Sequence, residues 1–363
     1  MTTKRPTKKL KKRSGLKVKP YSFKRIIISF AILVFVSLCI SFTYFYSRIF
    51  SPNLIIEGKL SEYIYIKSTD TFEDVLNQLS NRGMLKNRES FIWLSSFMDY
   101  QKKVKPGRYK VKDGMTNREF VTLLRSGKQE PIRITFQNIR TKQALAGKVG
   151  RNLEADSSSM MEILNDNKIL VQYGLDSSKA LSLFLPDTYE FYWNTTAPEF
   201  VDKFGESYLK FWNEDRKKQA ERIGLSPGEI SVIASIVVQE SNKSDEWPTI
   251  AGVYLNRLRI GMKLQADPTV KFALNDFDLR RIRSNHLQVE SPYNTYKYVG
   301  LPPGPIYMVG KRSIDAVLNY QSHSYLYFCA RSDRSGYHDF AVTFEQHKQN
   351  ARRYQSSLNA RGI

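Results

Sequence analysis

The sequence is poor in the residues that bind metals and form disulfides: two cysteines and four histidines in 363 residues. Cys39 lies inside a long apolar run and Cys329 near the opposite end of the chain, so no internal disulfide is expected. CxxC, HExxH and related ligand spacings are missing, and His286, His323, His338 and His347 are scattered, which argues against a metal site. GxGxxG, the P-loop pattern and GxSxG are also missing, which removes the usual sequence grounds for a dinucleotide, a nucleotide or a serine nucleophile. The reading therefore expects no cofactor and no metal. His338, within Ser335-Gly336-Tyr337-His338-Asp339-Phe340, reads as a structural histidine.

Acidic residues are missing from the first 25 positions, which carry eleven of the 56 Lys and Arg residues. The formal net charge of +21 is thus concentrated at one end, and the remaining 45 basic residues face 35 acidic ones. This distribution leaves little support for a nucleic-acid partner. With 41% hydrophobic and 13% aromatic residues the rest can bury a core, so global disorder is excluded.

Directly after the basic block, Ile26 to Tyr46 reads IIISFAILVFVSLCISFTYFY, with no charge, Gly or Pro. As a helix this run is about 30 Å long, the thickness of a bilayer core. Tyr44, Phe45 and Tyr46 suit the far headgroup boundary, and the basic block marks residues 1–25 as a cytoplasmic tail. A cleaved signal peptide would have a shorter apolar region and small residues at its end. The expected topology is a single retained span over 26–46, with everything after Arg48 outside the cytoplasm.

Residues 54–136 read as a small α+β module. Tyr63–Lys67 is β-prone, and Thr71 caps a helix through Val75, Leu76 and Leu79 that Gly83 ends. A helical run covers Arg88 to Met98, and Pro106-Gly107 turns into a strand over Arg108–Val111. Thr116-Asn117-Arg118-Glu119 is a capping box for a helix closed by Gly127, and Ile132–Phe136 alternates as a strand. This module carries no catalytic cluster and reads equally as a spacer or a polysaccharide-binding unit. Residues 137–180 read as a helical connecting region, with Ser157-Ser158-Ser159 as a loop. A second, larger α+β domain is expected over 181–363.

Within it, Ser226-Pro227-Gly228-Glu229 is a strong helix start. Ile230, Ile233, Val237 and Glu240 follow at offsets 0, 3, 7 and 10, which places Glu240 on the apolar face in the last turn. Burial and the negative end of the helix dipole both disfavour its anion, as a general acid near neutrality requires. Asn256, Gln265 and Asp267, and Ser291-Pro292-Tyr293-Asn294-Thr295-Tyr296, add amides, hydroxyls and rings of the kind that line a sugar cleft. Gly300-Leu301-Pro302-Pro303-Gly304-Pro305 is a stiff loop able to fix one wall.

Six stretches now stand in order: Leu185-Pro186-Asp187-Thr188-Tyr189-Glu190-Phe191, Ala234–Glu240, Ile250–Leu258, Leu264–Val270, Ser291–Tyr296 and Gly300–Ile306. In them the chain resembles the endolytic murein transglycosylase (YceG-like) family. The resemblance implies a single-pass membrane protein with a LysM-like module and a catalytic domain that cleaves peptidoglycan glycan strands, with Glu240 as acid/base. It places the catalytic domain on the outer side of the bacterial plasma membrane and makes cell-wall synthases candidate partners. One departure stands after the first module, where the family continues with Glu-Gly and this chain has Gln137-Asn138-Ile139.

The implied chemistry needs one carboxyl: Glu240 protonates the glycosidic oxygen, and the C6 hydroxyl of the same muramic residue closes onto C1. Asn256, Gln265, Tyr293, Asn294 and Thr295 are the candidates for positioning sugar and N-acetyl groups, and Asp267 for orienting loops or balancing charge. A glycoside hydrolase would need a second carboxylate, for which Asp245, Glu246 and Asp267 are available. A non-catalytic wall-binding scaffold is the third alternative.

Overall fold

The computed structural model describes residues 1–3 and 23–359, so most of the basic block 1–25 lies outside the described residues. The fold is mixed α+β. Helix α1 (Phe23–Phe50) is 28 residues long, which contains the expected 26–46 span. It is the one helix among the described residues long and apolar enough to cross a membrane. None of its residues is buried by protein. Both Cys39 and Cys329 are free thiols.

The chain divides into two compact units. Among the described residues the first comprises 23–62, 70–105 and 111–126, and the second 63–69, 106–110 and 127–359. Strands β1 (Ser61–Ile66) and β2 (Gly107–Lys112) form a two-stranded sheet.

In the first unit α2 (Phe72–Asn81), α3 (Arg88–Phe97) and α4 (Asn117–Ser126) bury Val75, Leu79, Phe91, Leu94, Phe120 and Leu124. Thr71 caps α2 in a reciprocal box with Asp74. Thr116 and Glu119 exchange the equivalent bonds at the start of α4. A buried polar chain ties the unit to the end of α1. Asn53 Nδ2 donates to Asn117 Oδ1 at 2.7 Å, and Asn117 Nδ2 donates to Ser90 Oγ and to the Arg48 carbonyl, each at 2.8 Å. The Phe45 ring also lies 5.5 Å from that of Trp93.

In the second unit β3 (Ile132–Phe136) pairs antiparallel with β4 (Asp187–Phe191), Ile132 opposite Phe191 and Phe136 opposite Asp187. Sequence reading placed this alternating strand at the end of the first module; its ladder partner lies in the LPDTYEF stretch instead. Between them run α5 (Lys142–Gly150), α6 (Ser157–Asn165) and the short α7 (Asn167–Leu170). The serine run 157–159 is therefore not a loop. Asp156 caps α6 by accepting from the Ser159 amide at 2.7 Å, so the serines form its first turn.

Helices α8 (Ala197–Phe211) and α9 (Glu214–Ile223) lead to α10 (Pro227–Glu240), the central helix of this unit. Phe136, Phe184, Phe191, Phe200 and Phe204 form one aromatic cluster, with neighbouring rings 4.9–6.3 Å apart. Ser226 and Glu229 form the expected capping box at the start of α10. Burial runs almost all round this helix, from Ile230 to Val237, rather than along one stripe. It packs against α9, α11 (Trp247–Arg259), α12 (Asp267–Leu274) and α13 (Lys311–Leu318). The hairpin β5 (Tyr327–Ala330) and β6 (His338–Ala341) follows, then α14 (Phe344–Asn359).

The proline-rich loop is locked into this core. Ile306 N–H donates to Ser235 Oγ on α10 at 3.0 Å, and Ser178 Oγ donates to the Pro303 carbonyl at 2.7 Å. A Cβ on Gly304 would lie 1.8 Å from the Ser178 carbonyl oxygen, so only glycine fits there.

Candidate active site

Glu240 is the last residue of α10, and Ser241 leaves the helix in extended conformation. The capped start and the fixed length of the helix thus set where this side chain emerges: half-buried, on the floor of a cleft of about 340 Å³. Tyr254, Arg257, Gln265, Asp267, Tyr296 and the β5 residues line the same cleft, with His338 from β6 and Phe344 and His347 from α14.

Tyr254, itself buried, donates from Oη to Glu240 Oε1 at 2.7 Å. The carboxyl's second oxygen has no protein donor among the described residues and is the one free to hold a proton toward a ligand. Burial pushes the Glu240 pKa up to about 7, and the nearby Asp267 carboxylate adds to the rise. The Tyr254 hydrogen bond and the charges of Arg257 and Lys271 act in the opposite direction. Burial also drives the Tyr254 hydroxyl well above its usual range, reinforced by the Glu240 charge, so it stays a donor.

Arg257 is buried below this pair. Its Nε donates to the Leu326 carbonyl at 2.6 Å and its Nη1 to the Leu264 carbonyl at 2.5 Å. One guanidinium thereby joins the segment before β5 to the loop before α12, and burial lowers its pKa. On that loop Gln265 has φ +50°, a left-handed conformation rare for a residue with a side chain. Its neighbours Leu264 and Ala266 are fully buried while Gln265 itself stands exposed at the cleft. Asp267 opens α12, where the helix dipole favours negative charge, and accepts from Tyr296 Oη at 2.6 Å. Two carboxyl groups in the cleft thus each carry a tyrosine hydroxyl.

Of the residues singled out in the sequence, Glu240, Gln265 and Asp267 come together here. The other four do not line the cleft: the polar groups of Asn256, Asn294 and Thr295 hold the fold, and Tyr293 packs through its ring. Asn256 Nδ2 donates to the carbonyls of His323 (2.7 Å) and Tyr325 (3.1 Å). Asn294, fully buried, donates to the carbonyls of Leu287 and Val289, each at 2.9 Å, and accepts from the Tyr296 amide. Thr295 Oγ1 accepts from the Ala266 amide and pairs with Thr269 Oγ1 at 2.8 Å. The Tyr293 ring packs 4.6 Å from that of Phe272.

The second carboxylates considered for hydrolysis separate in the same way. Glu246 is buried, and both its oxygens are taken by His338, through the backbone amide at 2.8 Å and Nδ1 at 2.9 Å. Asp245 is exposed and accepts from Tyr337. Only Asp267 shares the cleft with Glu240. Sequence reasoning missed Tyr254 and Arg257, although Ile250, Tyr254 and Arg257 fall at helical spacing on one face, a polar pair where a core stripe would be apolar.

The YceG-like family profile matches residues 64–353, about four fifths of the chain and all the cleft residues named above. The chain belongs to the YceG-like family. A protein of Bacillus subtilis named endolytic murein transglycosylase is 34% identical over 174 residues, 48% of each chain. A Streptococcus pneumoniae protein of the same name is 25% identical over 93% of this chain and 66% of its own length. The matches therefore span from just under half to about two thirds of the curated relatives' length. A crystal structure of a yceG-like protein from Listeria monocytogenes superposes with a TM-score of 0.53 at 24% identity, covering 80% of this chain and 99% of that one, which shows a shared fold.

Proposed function

We propose that this YceG-like protein is a membrane-anchored endolytic lytic transglycosylase of peptidoglycan. The observation that carries the reading is a cleft carboxyl, Glu240, held near pKa 7 with one oxygen fixed by Tyr254 and the other free. The two relatives named endolytic murein transglycosylase support it.

In the proposed reaction the protonated Glu240 gives its proton to the oxygen of the β-1,4 bond between N-acetylmuramic acid and N-acetylglucosamine, and the C1–O bond breaks. The C6 hydroxyl of the same muramic residue then attacks C1, and its proton passes to the Glu240 carboxylate, which restores the acid. The product is a 1,6-anhydro-muramic end, and no water is consumed. An internal nucleophile has a high effective molarity, so one enzyme carboxyl suffices. Tyr254 keeps Glu240 in one rotamer and eases the anionic stage, and Gln265 and Asp267 are the nearest polar groups for the sugar.

The anchor would be α1, with the basic block on the cytoplasmic side and both units outside the bacterial plasma membrane. Residues 54–136 would form a LysM-like module, serving as a spacer or a glycan-binding unit, 137–180 a connecting region and 181–363 the catalytic domain. The protein would act beside cell-wall synthases, cutting nascent strands and so ending their elongation. A hydrolytic reading keeps Asp267 as its one candidate second carboxylate. Mass spectrometry of products from uncrosslinked strands made in ¹⁸O-water separates the two: anhydro ends without label are expected, whereas labelled reducing ends would replace transglycosylation by hydrolysis. Cleavage at the native rate by Glu240→Gln would remove Glu240 from the reaction. An intact biological role in that variant without cleavage would favour the scaffold reading.

A further inference from the structure

A second hollow adjoins the cleft. After α12 the chain turns at Asn275, in the left-handed region at φ +53°, and runs as an irregular strap to Tyr296. Arg281, Ile282, Arg283, Ser284 and Leu287 line a space of about 690 Å³. Asp267 and Tyr296 line it too, and both also line the cleft over Glu240, so the two spaces share these residues.

The strap puts three arginines, Arg280, Arg281 and Arg283, into four residues, all exposed. None of the ion pairs among the described residues includes them. Asp276 and Asp278 precede them on the strap but do not line the hollow, and Asp267 already accepts from Tyr296. The strap is held beside the cleft by the two Asn294 bonds and by Lys297 Nζ, which donates to the Gln288 carbonyl at 2.8 Å. Two guanidinium groups thus line a hollow that shares Asp267 and Tyr296 with the cleft, and neither is engaged in an ion pair among the described residues. Planar guanidinium donors match carboxylates in paired hydrogen bonds.

We infer that Arg281 and Arg283 form a carboxylate subsite for an acidic substituent on the sugar bound in the cleft, either the lactyl group of a muramic residue or the peptide joined through it. The inference rests on the proposed glycan-cleaving reading. It is tested by equilibrium binding to the full chain carrying Glu240→Gln, with and without Arg281→Gln and Arg283→Gln together. Three ligands are compared: a neutral β-1,4-linked N-acetylglucosamine hexamer, a peptide-free glycan strand with lactyl carboxylates, and a strand with stem peptides.

The arginine substitutions are expected to weaken acidic ligands about fivefold, the scale of two solvated charge pairs, and to leave the neutral hexamer unchanged. A loss on the peptide-free strand assigns the lactyl group, and a loss only on the peptide-bearing strand assigns the peptide. Equal weakening of all three, or of none, overturns the subsite while leaving the glycan reading in place. Selective weakening in a protein whose wild type cleaves nothing keeps the subsite and removes the enzyme. Failure to bind any of the three removes both.

Discussion

At Glu240 opposing influences meet on one carboxyl, and their balance can be moved from either side. The Tyr254 hydroxyl stabilises the anion and the Asp267 charge destabilises it. Tyr254→Phe is therefore expected to raise the Glu240 pKa further and Asp267→Asn to lower it. On the proposed mechanism cleavage needs the protonated acid, so the rate falls as pH rises through about 7. The alkaline limb of kcat/KM should move to higher pH in Tyr254→Phe and to lower pH in Asp267→Asn. Shifts in the same direction would mean that the limb belongs to another group.

The same displacement makes a stability statement. The folded-state pKa lies above the ordinary value of 4.5, so between these two pH values the folded protein holds more protons than the unfolded chain. Stability is then lost as pH rises through that window. Glu240→Gln removes the titration and can keep its bond to Tyr254. It should match the wild type near pH 4 and exceed it at pH 8 by about 1–3 kcal/mol, the range allowing for solvent entering the cleft. Urea denaturation at the two pH values measures this, and a less stable variant at pH 8 would contradict the assigned burial cost.

The residues legible from sequence were those whose chemistry is odd for their position. An acid on the apolar face of a capped helix is such a case, and so is Asp267 at a helix start. Asn256, Asn294 and Thr295 were chosen for amide and hydroxyl groups that suit sugars. Those groups equally satisfy the buried carbonyls and amides of irregular loops, and here they do. Residue type alone does not separate the two uses. Tyr327, Phe344 and His347 reach the cleft from parts of the chain far from Glu240 in sequence, which only the packing brings together.

Among the elements, helix starts were the most readable, because a cap and its reciprocal partner lie three residues apart and need no tertiary information. Ser226 holds the Glu229 amide while Glu229 holds the Ser226 amide and hydroxyl. Ser226→Ala should cost about 1 kcal/mol in thermal or urea unfolding without altering the position of Glu240 at the far end of α10. Strand pairing was less readable, since β3 alternates correctly yet its partner lies more than fifty residues onward, in β4. The proline-rich loop was recognisable as stiff, but its glycine requirement comes from the Ser178 carbonyl, a contact across the core. Gly304→Ala forces backbone apart there and should destabilise by about 1–3 kcal/mol, more than an alanine at exposed Gly261, where a Cβ would meet nothing. Equal melting temperatures for the two variants would show that the loop yields freely. Because Gly261 has φ +68°, its alanine variant carries a backbone cost of its own, which makes the comparison a demanding one.

For the whole molecule, the decisive division is between one apolar helix and everything after it. Helix α1 has no buried residue and an uncharged run of 21 residues, so in water it would expose a large apolar surface. Its last turn is different: the Arg48 carbonyl accepts from buried Asn117, and Phe45 meets Trp93. The place to separate span from folded unit is therefore just before Ser47, not at the helix end. A chain starting at Ser47 gives up the exposed Phe45–Trp93 ring contact but retains the buried Asn117 bond, and is expected to fold as a soluble protein. A chain starting at Ser51 loses that acceptor and should be less stable by about 1–2 kcal/mol, the cost of leaving a buried donor unpaired. The full chain should stay with membranes through an alkaline carbonate wash, and protease added outside intact spheroplasts should remove everything beyond the span. Release of the full chain by carbonate would end the anchoring proposal, and protection from external protease would reverse its orientation while leaving the cleft chemistry untouched.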